Sequence, residues 1–554
     1  MNNLRYLLLT LVLVASCSGP QSGSDASGQL RDFLVQFSAE EEEEAGDRTL
    51  SETYFSEQLS RTTSLLKRLE AIPKEQLKGD DLVDWKFAHS ILRGRELRQG
   101  SMKPWTKNPR LFMVFTQISG LIERPGKLDA KLNEVEKRLR LVPEQLSNGQ
   151  KLLNTYIPRF QELSLFMAEN GKVLFDRDLP AFIAQAGSRA DTLTQLAQAA
   201  GKSLDEFITY LKNDLPRLPQ GEFGIGKAAY EEMLRDEYLI TYGSDSLYRF
   251  GWSQFNKTVK ELEALAKTID PKKTWQELAR DIKNDYPSPD SMIQAHQYWV
   301  DKSREHIVGK NLIPIPWPER VRVVPRAEYL RKTSYYGNFS IARGKDKDSI
   351  FTSEWMINPF EHQWPEQRKQ EYLVEHDYGV IIVTAPHETY GGHHVQGLYQ
   401  MHNERPFRKN HGISIFSEGW GLYNEQLMQE TGFFPSERIH LRQLQLRLWR
   451  NARVIYDVGM HTGQLSYEDA IKLMTDQVGF LRWAAQLEVD SSSASPGYFI
   501  GYFMGMTEIL AMREDYRKLM GPRFTLTDFH EKLLKIGNMP PALMREALFQ
   551  SATR

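Results

Sequence analysis

The stretch Pro386-His387-Glu388-Thr389-Tyr390-Gly391-Gly392-His393-His394 sets three imidazoles and one carboxylate within eight residues. It comes within one position of H-E-x-x-H, in which two histidines four apart on one helix face hold zinc beside a glutamate base. Here Gly391 stands where the second histidine belongs. His387 and His393 are six apart, which is about 120° around an ideal helix. His387 and His394 are seven apart and share a face, but stand roughly 10 Å apart along the axis. Each nitrogen must approach zinc to about 2.0–2.1 Å, so an unbroken helix serves neither pairing. Gly391 and Gly392 permit backbone conformations that other residues avoid. A two-residue bulge around Tyr390–Gly392 would restore an effective spacing of four between His387 and His393. The expectation is a bulged helix with His387 and His393 as ligands and His394 as the alternate ligand. A helix N-terminus carrying polar histidines and no metal is the competing reading.

Further along, Ser417-Glu418-Gly419-Trp420-Gly421-Leu422-Tyr423-Asn424-Glu425 sets Glu418 25 residues after His393. Gluzincin peptidases take their third ligand from a glutamate on the following helix at a closely similar distance, and by that likeness Glu418 completes the set. Glu425 lies two turns beyond Glu418 on the same face. It is either a solvated carboxylate or the partner that orients a ligand, which metal sites commonly need.

The remainder of the chain sets bounds on these readings. It has 554 residues, 26% charged and 41% hydrophobic, with a formal charge of -2, which is ordinary globular composition. There is no basic excess of the kind that nucleic-acid binding requires, and nothing implies a required protein partner. The length predicts one large elongated domain or two lobes. Arg5 and the apolar Leu7–Val14 form a segment too short to span a bilayer. Val14-Ala15-Ser16-Cys17 resembles a bacterial lipoprotein signal, which implies cleavage before Cys17 and its lipidation, and Cys17 is the only cysteine. Residues 1–16 are thus read as signal peptide and 17–29 as lipidated cysteine and flexible tether, with Ser18–Ser27 rich in Ser and Gly. Ser18 favours the outer membrane, with the protein facing the periplasm. The acidic run Glu40–Glu44 reads as a solvated helix face.

Helical periodicity runs from Leu30. Pro104, Pro109, Pro125 and Pro143 are expected to punctuate helices, and Gly201 to end the helix over Ala190–Ala200. After Lys310 the pattern becomes extended. Arg320–Val324, Tyr335–Ile341 and Ser349–Ile357 read as strands, and helices resume from Pro386. The fold class is mainly α, with a small β-sheet before the metal-site helix. A helical lobe is expected over about residues 30–310, and a sheet and metal-site lobe over about 311–554.

H-E-T-Y-G-G-H-H-V-Q resembles the H-E-x-x-P-G-H-H-x-Q signature of the bacterial domain of unknown function 885 (DUF885) family, and E-G-W-G-L-Y-N-E resembles its second signature. Leu448–His461 is similar to its L-W-R-A-x-R-L-V-x-D-T-G-x-H helix. Pro496-Gly497-Tyr498 with Tyr502 and Gly505 is similar to P-G-Q-x-x-x-Y-x-x-G, and Phe529–Leu534 with Gly537 and Pro540 to its last motif. The match runs from roughly Leu30 to the end. Two positions depart from the pattern: Gly391 replaces a proline, and Tyr498 replaces a glutamine. The resemblance implies a zincin-like, helical metallopeptidase-type fold related to gluzincins, with two helical lobes around a channel.

The roles expected from this chemistry are zinc held by His387, His393 and Glu418, one ion in all, with Glu388 as general base on the metal-bound water. Tyr502 and His461 are the candidate oxyanion donors, by analogy with helical gluzincins. Arg453 is the candidate for a substrate carboxylate, although an i, i+4 ion pair with Asp457 competes for it. His402, His411 and His530 read as structural. The expected activity is zinc-dependent hydrolysis of short peptides at the envelope. A metal hydrolase of another amide or an ester, or a lipid-anchored binding protein without turnover, are the alternatives.

Overall fold

Alternating burial along Phe351–Ile357 sends Phe351, Ser353, Trp355 and Ile357 inward, the period-two pattern of a strand with one buried face. In the computed structural model of the chain, which describes residues 25–44, 48–123, 127–326, 337–342, 344–346 and 348–552, this strand is the centre of a small sheet. Strand β1 (Glu319–Pro325) pairs with β3 (Phe351–Ile357) in parallel, and β2 (Gly337–Ser340) pairs with β3 antiparallel. The order β1-β3-β2 leaves β2 on the outside. All three expected strands exist. Tyr335 lies outside the described residues.

Everything else of length is helical. The helix Glu437–Thr462 runs through the middle, and every residue from Leu448 to His461 is buried. A stretch buried on every side belongs to the core, so the polar side chains it carries, Arg450, Arg453 and Asp457 among them, must find partners there. Against it packs Tyr378–Glu388, which carries His387 and is buried from Gly379 through His387. The Asp377 side chain caps that helix by accepting from the Val380 N–H. Arg442 of the central helix donates to Asp377 at 2.7 Å, joining the two helices at one end.

Several expectations are corrected. The helix from Ala190 continues to Asn213 through Gly201. An interior glycine costs only about 1 kcal/mol against alanine, and the buried face continued by Ser203, Leu204, Phe207 and Leu211 outweighs it. Pro143 lies inside the helix Leu128–Leu152. The tether is shorter than residues 17–29, because Ala26–Glu44 is helix and Ala26 and Leu30 join the core. The acidic run is not merely solvated: Glu40 pairs with Arg68, and Glu41 pairs with Arg95 and with His411. Cys17 lies outside the described residues.

The division near residue 310 does not follow the packing. One apolar core gathers residues from Ala26 through Leu97, from Tyr230 through Ile313, and on to Leu548. A second core is built from Leu50 and from Phe112 through Leu215. The satellite unit is therefore an insertion between two parts of the main body, held to it in part by the ion pair of half-buried Arg159 with buried Asp490.

Candidate metal centre

The His387 helix ends at Glu388, and after a four-residue link a new helix, His393–Met401, begins. The link is a break rather than the expected bulge. Thr389 leaves helical geometry at φ -120, ψ -108, and Gly391 takes φ +98, a region that L side chains avoid. A Cβ at Gly391 would lie 2.2 Å from Asn424 Oδ1, and one at Gly392 would lie 1.7 Å from the His387 carbonyl oxygen. The chain folds this tightly because two neighbours take up the carbonyls that the broken helix frees. Asn424 Nδ2 donates to Pro386 O at 2.7 Å, and Trp420 Nε1 donates to Gly391 O at 2.6 Å.

The break swings His393 back towards His387, with ring centroids 5.0 Å apart. Glu418 comes from the helix Ser414–Glu430. Its Oε2 lies 3.4 Å from His393 Nε2 and 3.9 Å from His387 Nε2. One ligand atom from each of these three residues falls within 4.8 Å of the others. A tetrahedral ion about 2.1 Å from each ligand sets them roughly 3.4 Å apart, so the cluster is near that size and slightly open. The donor set of two imidazoles and one carboxylate suits a divalent ion with a position left over. Among the described residues no other group of histidines, cysteines and carboxylates is gathered in this way.

Of the two readings open for Glu425, the solvated one does not hold, because the side chain is buried. The His387 Nδ1–H donates to Glu425 Oε1 at 2.8 Å, which turns the Nε2 lone pair towards the cluster. Arg450 Nη2 reaches the same Oε1 at 3.3 Å. In the metal-free cluster, burial pushes the His387 imidazole down, but Glu418, Glu425 and Glu388 outweigh it and raise it to about 9. Burial likewise works against ionised Glu418, yet His387 and His393 hold it well below the usual carboxylate range.

His394 faces away from the cluster. Its Nε2–H donates to Glu319 Oε2 at 2.9 Å, and the Ser353 hydroxyl donates to its Nδ1 at 2.8 Å. Glu319 also accepts from Tyr390 Oη at 2.6 Å and from Arg304 Nε at 2.8 Å. Of the two candidates for second ligand, His393 alone is brought to Glu418. Nothing in the sequence marks Glu319 or Ser353, which lie 75 and 41 residues away from His394.

The cluster opens onto a cleft of about 520 Å³ lined by Glu388, Tyr498, Tyr502, Trp449, Arg450 and Arg453 among others, with Gly337–Phe339 of β2 opposite. Among the described residues no hydrogen bond or ion pair ties down the Glu388 carboxylate. Tyr502 lies with its ring nearly parallel to His387, 6.4 Å between centroids, and burial raises its phenol. Tyr498 donates its O–H to Glu418 Oε1. It was noticed in the sequence only as a departure from a pattern.

Two expected roles are corrected. His461 does not line the cleft. Its Nε2–H donates to Ser492 O at 2.9 Å, and its ring packs between Tyr230 and Phe223, so it serves the core. Arg453 does not pair with Asp457. It gives Nε and Nη2 to Glu488 at 2.9–3.1 Å, the donors that a forked carboxylate contact needs. Its guanidinium stacks 4.2 Å from the ring centroids of Trp449 and of Tyr502. Asp457 instead accepts from Tyr230 Oη at 2.6 Å and from the Gly497 N–H at 2.9 Å. His402, His411 and His530 stay outside the cluster, each with Nδ1 bonded to a backbone carbonyl at 2.8 Å.

Solved structures share this fold. A protein of unknown function from Shewanella oneidensis, named as a lipoprotein, aligns with a TM-score of 0.78 at 19% identity, over 95% of this chain and 100% of that one. Another from Colwellia psychrerythraea, also named as a lipoprotein, aligns with a TM-score of 0.78 at 14% identity, over 96% of this chain and 99% of that one. No curated protein matches the chain. The family described as bacterial proteins of unknown function, DUF885, matches residues 38–548, and the chain belongs to it.

Proposed function

We propose that the chain is a zinc-dependent peptidase of the zincin type acting on short peptides. The observation that carries this reading is the His387, His393 and Glu418 cluster, set in the wall of an open cleft with the carboxylate of Glu388, which no described residue pairs with, beside it. A divalent ion in this site supplies Lewis acidity, lowering the pKa of water and polarising a carbonyl. Zinc is preferred from the ligand types. Glu388 takes the proton of the attacking water and delivers it to the leaving amine. Tyr502, which lines the cleft, is the donor to the oxygen that becomes negative at the attacked carbonyl. Glu425 holds His387 in the tautomer whose Nε2 is free to bind the ion.

A peptide substrate is favoured by β2. It is one of the two outer strands of the described sheet, and its Gly337, Asn338 and Phe339 line the cleft. An extended peptide can pair along such an edge. The cleft volume suits a few residues rather than a folded protein. Arg453 then acts on the substrate indirectly, by fixing Glu488 and the Tyr502 ring.

The envelope is the proposed location. The two similar solved proteins are named as lipoproteins, and Val14–Cys17 has the form of a lipidation signal. Among the described residues no helix is long and apolar enough to cross a membrane. Attachment would be through lipid on Cys17, at the outer membrane facing the periplasm.

The test joins metal analysis to turnover. Mass spectrometry of the purified protein should find one equivalent of zinc. Cleavage of a short-peptide library should vanish on chelation, return with zinc, and fall by about 10²–10⁴-fold in Glu388→Gln. A wild-type protein that takes up no metal, or a Glu388→Gln variant with full metal-dependent cleavage, overturns the proposal. Activity confined to esters or non-peptide amides would move the assignment to a different hydrolase.

A further inference from the structure

We infer that Tyr498 is the positioning residue that fixes Glu418 as a single-oxygen ligand and so keeps the remaining metal positions open to substrate and water; this rests on the metal reading above. A carboxylate offers two oxygens, and an unrestrained one can close on an ion with both. Here the two oxygens of Glu418 are already divided. Oε2 is turned to both imidazoles, at 3.4 and 3.9 Å. Oε1 accepts the Tyr498 O–H from the opposite side. Among the described residues Tyr498 is the only group hydrogen-bonded to Glu418, whose Oε2 has His387 and His393 at ion-pair distances.

The arrangement is built rather than incidental. Tyr498 sits in the short connection between the helices Arg482–Ser493 and Ile500–Met520. Asp457, buried in the central helix, grips that connection from behind: it accepts from the Gly497 N–H at 2.9 Å and the Phe499 N–H at 3.3 Å, on either side of Tyr498. The Tyr498 ring is held edge-on by Phe499 at 5.3 Å and by Tyr502 at 5.9 Å. On the other side, the Glu418 helix crosses Ile500–Met520 at touching distance, since a Cβ on Gly419 would lie 2.4 Å from Gly505 Cα. Both ends of the Tyr498–Glu418 bond are thus anchored to the same helix.

Proton counting then separates the two tyrosines. A phenol has one proton to donate, and Tyr498 spends it on Glu418. Its oxygen can only accept from Tyr502, 3.5 Å away. Tyr502 is therefore the donor of that long contact, and its proton can turn from Tyr498 to a substrate carbonyl that offers a nearer acceptor. The neighbouring phenols therefore have different roles: Tyr498 orders the ligand, and Tyr502 meets the reacting carbonyl.

The test compares the full chain as wild type, Tyr498→Phe and Tyr502→Phe. Zinc affinity is measured by chelator competition, and Co²⁺-loaded protein is read by visible absorption, which reports coordination number independently of turnover. Melting of the metal-free proteins checks that the variants fold. Tyr498→Phe is expected to weaken zinc binding by about 10–100-fold, the usual effect of losing a ligand's hydrogen-bond partner, and to lower the Co²⁺ band intensity as Glu418 closes on the ion with both oxygens. Tyr502→Phe should keep affinity within about threefold of wild type and leave the Co²⁺ spectrum unchanged. A Tyr498→Phe protein with wild-type affinity and spectrum overturns this inference while leaving the metal site standing. A wild type that binds neither ion overturns both.

Discussion

At the scale of single residues, the contrast between His393 and His394 is the sharpest result. Adjacent in sequence and both buried, they serve different partners, because successive side chains at a helix start point about 100° apart. Two variants should therefore separate. His393→Ala is expected to lose the zinc ion. His394→Ala should keep one equivalent and instead lose stability by about 1–3 kcal/mol, since it takes one hydrogen-bond partner from each of the buried Glu319 and Ser353 groups. Metal stoichiometry and thermal melting of the two proteins check this, and zinc loss in His394→Ala would reverse the assignment. Glu425→Gln should weaken zinc about 10–100-fold by loosening the His387 imidazole, measured by chelator competition; unchanged affinity would make Glu425 a bystander. Which residues gather in the cluster was largely legible in the sequence, because that depends on local spacing and residue type. The roles of His461 and Arg453 were not. Both sit on the all-buried central helix, and only the packing shows that one faces Ser492 and the other Glu488.

At the scale of elements, the glycine pair was readable as slack, but not as the kind of slack. A bulge keeps one helix axis, whereas the observed break at Thr389–Gly392 starts a second helix. What decides between them is the partner helix. Asn424 and Trp420 reach across to the Pro386 and Gly391 carbonyls, and that pairing lies 29–38 residues away. Gly391→Ala is accordingly expected to cost about 1–3 kcal/mol in backbone strain, with the Asn424 collision added, and to disorder the cluster. Metal-free melting together with zinc affinity checks it; a variant within about 0.5 kcal/mol of wild type would mean that the link relaxes freely. The strands were found within two residues of their observed limits where described, because alternation is a short-range signal. Gly201 and Pro143 misled for the opposite reason. Their local penalties are real, but a long buried face overrides them.

At the scale of the whole molecule, the sequence could not show that the first hundred residues share a core with the last hundred, since such contacts leave no periodic trace. That shared core makes a prediction about acid. His296, His376 and His530 are wholly buried, and burial pushes them down to about 3, 4 and 4 from an ordinary 6.5. Each stays neutral in the folded chain and gains a proton once unfolding exposes it. A depressed folded pKa leaves the associated stability intact above the unfolded value and removes it as pH falls. Each histidine then costs about 1.4 kcal/mol per pH unit below roughly 6.5, and the three together about 4 kcal/mol per unit down to roughly pH 4. The metal-free cluster adds no slope in that window. His387, raised to about 9, is protonated in both states below its ordinary 6.5, and its stabilisation is lost only as pH rises from there towards 9. Glu418, held low, is ionised in both states above its ordinary 4.5. Stability of the chelated protein should therefore peak near pH 6.5 and fall on both sides, steeply in acid, with unfolding near pH 5 taking up about three protons from these histidines. Calorimetric melting across pH 4.5–9 with proton-uptake measurement checks this. His376→Gln should remove about one proton from the acid slope, and a melting temperature that stays flat between pH 6.5 and 4.5 in the wild type would show that these imidazoles are not held neutral by the core.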